Sequence, residues 1–198
     1  QIELNAKKLM SKLLARHKVD EDNIIGIGVS VPGDFMEGAK ILNVHPYFPS
    51  LANLKVEAHL QSFFHKNIHI ENDANCATLC ELLVGNGRKT KNFINLYLGY
   101  GVSSGLVINS EPYRGEYGNS GLIGIQFPDF STIRPSGQNL LEFLRRKNIA
   151  VENFQDMEIL YQQKCEPMME WLASATAQLQ EKLYPIARLL DLRRIIVG

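Results

Sequence analysis

The chain has 198 residues, 45% hydrophobic and 21% charged, with 21 basic side chains balanced by 21 acidic ones. That composition suits a globular protein with one or two packed cores, and it offers no electrostatic reason for this segment to hold a phosphate backbone. No apolar run approaches the roughly 18–20 residues needed to span a bilayer and the start is polar and basic, so the expectation is a cytoplasmic protein with no membrane partner.

Residues 2–17 carry Ile2, Leu4, Leu9, Leu13 and Leu14 between lysines, which predicts an amphipathic helix. Ile24 to Val31 is β-branched and punctuated by glycine, then stops at Pro32-Gly33, as a buried strand running into a turn does. Residues 34–50, with Gly38, Pro46 and Pro49, are read as a surface excursion. A helix over Val56 to Phe64 and a short strand over Ile68 to Ile70 follow, then a helix over Cys76 to Val84. Phe93 to Leu98 and Leu106 to Ile108 are two expected strands, joined by a glycine-rich loop from Gly99 to Gly105. Residues 112–137 are expected to be irregular, with short strands. From Gln138 the period turns helical, with a stripe of Leu140, Leu141 and Leu144, and a longer helix covers about Met168 to Leu190 with a break expected at Pro185. Strands alternating with helices, then a helical tail, indicate an α/β domain. Gln1 is no natural initiator, and the strand-like Arg194 to Val197 stops at Gly198, so the chain is read as a fragment.

The string Ile70 to Glu81, IENDANCATLCE, carries the most chemistry. A strand ending in Asn-Asp at a helix start sets an amide and a carboxylate at the mouth of a crevice, where α/β folds bind ligands. A carboxylate there can accept a substrate hydroxyl's hydrogen bond and, in phosphoryl transfer, its proton. On composition alone an equal alternative stands, in which Asp73 merely caps the following helix. Cys76, Cys80 and Cys165 make neither a disulfide framework nor a zinc quartet, and are expected as reduced, mostly buried thiols. His45 in its Pro- and aromatic-rich loop is read as a surface residue before a ligand, and Trp171 as core or interface. Arg145-Arg146-Lys147 is read as a solvated helix end.

IENDANCATLCE, the upstream IGIGVSVPGDF and the downstream LGYGVSSGLVIN resemble, in order and spacing, the motifs of the ROK family of sugar-responsive repressors and sugar kinases. The resemblance runs from about Ile24 to Glu142. It implies an actin-like, sugar-kinase (ribonuclease H-like) ATPase fold, present in part. Residues 1–120 would hold the end of a first lobe and the start of a second, and 121–198 the second lobe with its helical tail. It further implies that Asn72 and Asp73 bind sugar hydroxyls, Asp73 at the catalytic-base position of family kinases, with Gly33 in the turn before the sugar site. Gly99, Gly101 and Gly105 would fall in a degenerate phosphate loop, and Glu142 would be a sugar ligand. A solvent-facing helix position beside Arg145 and Arg146 is the other reading of Glu142.

Departures from the family pattern set the functional expectation. Tyr100 stands at the loop's threonine position, and Ser103 and Ser104 stand where glycines are usual. Family kinases carry Gly-Glu-Ile-Gly-His, whose Glu binds sugar and whose His binds zinc and sugar. Here the segment is Gly121-Leu122-Ile123-Gly124-Ile125 and no cysteine follows before Cys165, so no metal is expected. The resemblance therefore implies the sugar-binding and dimerisation domain of a NagC/XylR-type regulator. It would bind a small carbohydrate without a cofactor, reach DNA through a domain outside this chain, and assemble as a homodimer or dimer of dimers. The alternatives are a sugar kinase using ATP and magnesium, and a protein-interaction domain that has lost sugar binding.

Overall fold

The computed structural model describes residues 2–36, 41–43, 56–127 and 132–198. They form two units, one of residues 1–76 with 115–119, the other of residues 77–114 with 120–198. The division thus falls well inside the 1–120 stretch, with one short segment returning to the first unit.

The first unit begins with α1 (Ile2–His17). Its partly buried face is Glu3, Ala6, Met10 and Leu14, whereas Leu4, Leu9 and Leu13 are exposed. The helical period explains the difference from the expected leucine stripe, because residues 3, 6, 10 and 14 share a face and the three leucines lie off it. β1 (Ile27–Val31) is shorter than expected, since residues 24–26 precede it and Ile25 is 93% exposed. The expected excursion also contains structure. β2 (Asp34–Met36) pairs antiparallel with β3 (Ile41–Asn43). His45 lies outside the described residues. α2 (Val56–Phe64) spans the residues expected of it and meets α1, where His59 hydrogen-bonds Glu3 and Lys7 lies 5.7 Å from the Phe63 ring centre. β4 (Ile68–Asn72) runs parallel to β1, with Val31 opposite Asn72. Parallel strands need a crossover connection, and α2 lies within it. Val31, Phe35 and Val56 form the small core, with Val29, Leu60 and Ile70 against it.

The division between the units falls within α3 (Asp73–Leu83), which starts earlier than the expected Cys76. In the second unit β5 (Phe93–Tyr97) is central. It pairs antiparallel with β6 (Ser103–Ile108), which pairs with β7 (Glu111–Pro112), and parallel with β8 (Arg194–Val197). Residues alternate across a strand, so Ile94 and Leu96 join Leu106 and Leu183 on one face, while Phe93 joins Val107, Ile196 and Leu82 on the other. The expected glycine-rich loop is shorter than its sequence, because β6 starts at Ser103 and takes in Ser104 and Gly105, the latter opposite Asn95.

Three further helices complete this unit. α4 (Gly137–Arg146) is capped by Ser136, whose side chain accepts from the Asn139 N–H. α5 (Phe154–Gln162), which the sequence period did not reveal, starts at a reciprocal Asn153–Asp156 capping box. α6 (Glu166–Leu189) continues through Pro185 instead of breaking there. A proline inside a helix removes its own N–H from the ladder, and the helix persists here with Leu183 and Ile186 packed in the apolar cluster of the sheet. Trp171 is core, as the sequence allowed. Its indole N–H donates to Asn139 Oδ1 at 2.9 Å, which also accepts from the Arg134 N–H, and Asn139 is 0% exposed. None of the three cysteines forms a disulfide, but none is buried: Cys76 and Cys165 are half-buried and Cys80 is exposed.

Candidate functional site

The carboxyl ends of β1 and β4 lie side by side, the position at which open α/β sheets bind ligands. Each strand delivers a different element there. β1 ends in Pro32-Gly33, and Gly33 takes φ of 121°, a backbone region that a side chain disfavours. β4 ends in Asn72 and passes directly into α3 at Asp73.

Asn72 joins the two ends. Its Nδ2 donates to the Gly33 carbonyl at 2.9 Å, and its Oδ1 accepts from the N–H groups of Ala74 at 2.8 Å and Asn75 at 3.2 Å. The side chain that caps α3 is therefore principally Asn72, where the sequence had offered Asp73 for that role. Asn72 is only 2% exposed, so most of its hydrogen-bonding capacity serves the fold. Glu71 braces the same turn, its Oε1 accepting from the Asn72 N–H and from Asn75 Nδ2, both at 3.0 Å.

Asp73 is differently placed. One carboxylate oxygen accepts from the Ala74 N–H at 2.9 Å, and the side chain is only partly buried. Burial pushes its carboxyl above the ordinary aspartate range, against the opposing pull of backbone N–H donors at Ala74 and at its own residue. A carboxylate at a strand end, partly desolvated and still reachable, can accept a hydroxyl's hydrogen bond or its proton.

The remaining sequence-selected residues belong to the second unit. Glu142 lies on α4 and accepts from Gln138 Nε2 at 2.7 Å, one turn earlier on the same helix. Gly99 and Gly101 lie in the turn between β5 and β6, where the Gly99 carbonyl accepts from the Gly137 N–H at 2.9 Å. Among the described residues, a side chain at Gly101 would meet nothing within 4 Å beyond its chain neighbours, whereas Gly105 sits inside β6. Ser104 is no bulk in a phosphate loop, since it is a fully buried strand residue whose hydroxyl donates to the Gly121 carbonyl. Gly121 has φ of 87°, and a Cβ there would come within 3.0 Å of the Leu106 nitrogen. The segment therefore needs its glycine, but Leu122 and Ile125 supply no donor for a soft cation, and Ile125 is 86% exposed. Among the described residues no three His, Cys, Asp or Glu side chains are grouped as a metal ion would require. Glu71 stood in the motif string, but its bracing role needed the turn geometry to be seen. Asn119, which reaches Phe35 in the first unit, had no sequence signal at all.

Comparison with known proteins agrees with this architecture. The chain is 32% identical over 194 residues to the uncharacterized protein y4fQ of Sinorhizobium fredii, an alignment covering 98% of this chain and 49% of that protein. It is 31% identical over 123 residues to a glucokinase of Halalkalibacterium halodurans, covering 62% of this chain and 37% of the enzyme. Xylose repressors are among the further relatives. The chain thus spans about half the length, or less, of the curated relatives it matches. A ROK family transcriptional regulator, described as a homologue of the E. coli MLC protein, superposes with a TM-score of 0.77 at 15% identity, covering 100% of this chain and 54% of that one. The fold is that of the actin-like ROK sugar kinases and regulators. The ROK family sequence profile matches residues 5–140, and the chain belongs to the ROK family.

Proposed function

We propose that the chain is part of the carbohydrate-sensing domain of a ROK transcriptional regulator that does not phosphorylate its sugar. One observation carries this reading. The positions that hold the sugar glutamate and the zinc histidine in family kinases are present and apolar, as Leu122 and Ile125, while the strand-end Asp73 is retained and accessible. In-line phosphoryl transfer needs the sugar and the nucleotide phosphates held together, and a single carboxylate does not provide that. Binding alone asks less. A few polar groups around a sugar can shift an equilibrium between two conformations of a regulator. In this reading the ligand is a small carbohydrate at Gly33, Asn72 and Asp73. DNA contact belongs to a domain outside this chain, and the protein works as a homodimer on paired half-sites.

A kinase reading is favoured by one feature, the raised affinity of Asp73 for a proton, which suits a general base. ATP and magnesium would enter only there. The two readings separate in a coupled nucleotide-hydrolysis assay of the full-length protein with glucose, xylose and N-acetylglucosamine. The regulator reading expects no sugar-dependent turnover, together with calorimetric binding that disappears in Asp73→Ala. Turnover that vanishes in Asp73→Ala establishes the kinase. Absence of binding by every sugar leaves the protein-interaction role as the reading to pursue.

A further inference from the structure

The hairpin that follows β1 is pinned at two consecutive points around one carboxylate. On one side of Asp34, the Gly33 carbonyl is held by Asn72 Nδ2. On the other, Asn119 grips both backbone groups of Phe35. Its Oδ1 accepts from the Phe35 N–H at 2.7 Å and its Nδ2 donates to the Phe35 carbonyl at 2.6 Å, across 84 residues of sequence. A side-chain amide used this way imitates a neighbouring strand and fixes the residue in orientation as well as position. Gly118 brings the segment close, for a Cβ there would lie 3.6 Å from the Phe35 ring.

The Asp34 backbone pairs with β3, but its side chain is open to solvent and, among the described residues, makes no hydrogen bond or ion pair. It follows Gly33 directly, as Asp73 follows Asn72, so each carboxylate comes one residue after a member of the hydrogen-bonded Asn72–Gly33 pair. The surrounding protein raises the proton affinity of both, and no basic side chain is among the causes for either. A carboxylate to which no described residue gives a side-chain hydrogen bond keeps its acceptors for a ligand that brings donors.

We propose that Asp34 is a second ligand-binding carboxylate of the strand-end site, accepting hydrogen bonds from hydroxyls of a neutral sugar alongside Asp73, and that Asn119 is the residue that positions it. The inference rests on the carbohydrate reading above and deepens it. Two carboxylates without a described cation favour adjacent hydroxyl donors and repel a phosphate, so the ligand class is an unphosphorylated polyhydroxy sugar.

The test is calorimetric titration of the full-length protein with glucose, xylose, N-acetylglucosamine and glucose 6-phosphate, repeated on Asp34→Ala, Asn119→Ala, their double variant and Asp73→Ala, each with a thermal unfolding curve. For whichever neutral sugar binds, Asp34→Ala loses about tenfold or more in affinity with an unchanged or higher Tm. Asn119→Ala also weakens binding, and the double variant is no weaker than Asp34→Ala alone, because the amide acts through the carboxylate. Wild-type affinity in Asp34→Ala beside lost binding in Asp73→Ala overturns this inference and leaves the carbohydrate reading standing. A lowered Tm in Asp34→Ala makes the residue structural, and additive losses in the double variant make Asn119 structural; either result overturns the part it addresses. Tighter binding of glucose 6-phosphate than of glucose overturns the ligand class. If no sugar binds, or if Asp73→Ala binds as the wild type does, the carbohydrate reading falls and takes this inference with it.

Discussion

The two units bury different things. The second has a four-stranded sheet with apolar clusters on both faces and a separate helical cluster around Leu144, Trp171 and Met168. Among its described residues, the first has two strand pairs and a core of Val31, Phe35 and Val56. Among the described residues, the largest fully buried side chains, from Phe93 and Leu144 to Asn139, all belong to the second unit. The strand-end carboxylates belong to the first. Ligand sites are drawn from less densely packed regions, where small rearrangements cost little, while a dense neighbour supplies stability. The contrast teaches that the dense packing and the candidate strand-end site fall in different parts of this chain.

Truncation in the two cores tests that division most directly. Phe93→Ala empties a fully buried position in the central strand and is expected to cost about 3–5 kcal/mol in chemical denaturation. Val31→Ala, in the smaller core, removes less apolar area and is expected to cost about 1–3 kcal/mol. Equal losses for the two variants would break the comparison. Between these two in size is the buried polar centre of the second unit. Asn139→Ala strands the Trp171 indole N–H and the Arg134 N–H, which share its Oδ1, and is expected to lower stability by about 2–3 kcal/mol. Retention of wild-type stability would show that these donors find other acceptors.

The smallest effect sharpens the picture of the first unit. Burial raises the Asp73 carboxyl above its ordinary value of 3.8, so the folded protein holds that proton more tightly than the unfolded chain does. Its ionisation therefore costs stability above the raised value, and the cost fades as pH falls through that value towards about 3.8. Asp73→Asn removes the charge while keeping an acceptor for the Ala74 N–H. Its Tm is expected to exceed the wild type's slightly at neutral pH, with the difference closing near pH 4. A difference that widens on acidification would mean that the carboxylate is stabilised by a partner after all.

Much of the fold was legible because its signals are local. The helix over residues 56–64, the strand from Phe93 and the long helix before Leu190 follow from apolar period and flanking breakers. The hairpin of β2 and β3 escaped because three-residue strands are too short to show alternation. α5 escaped because its hydrophobic positions, with Met157 alone buried, make no stripe. Ser104 was misplaced because a glycine-rich string reads as a loop, and only pairing with β5 makes it a strand.

The candidate site divides in the same way. Sequence by itself determined that an Asn-Asp pair closes a strand and opens a helix, since strand, cap and helix are neighbours along the chain. It also determined that positions 122 and 125 are apolar. Only the tertiary structure decided which member of the pair serves the fold and which remains available. Asn72 is consumed by a carbonyl 39 residues away, leaving Asp73 the more accessible. Only the tertiary structure brought Asn119 to Phe35 and thereby set Asp34 between two pinned residues. Capping and periodicity act over one helical turn and leave a trace in spacing. A hydrogen bond closing a loop of 84 residues depends on where the whole chain has already folded, and leaves none.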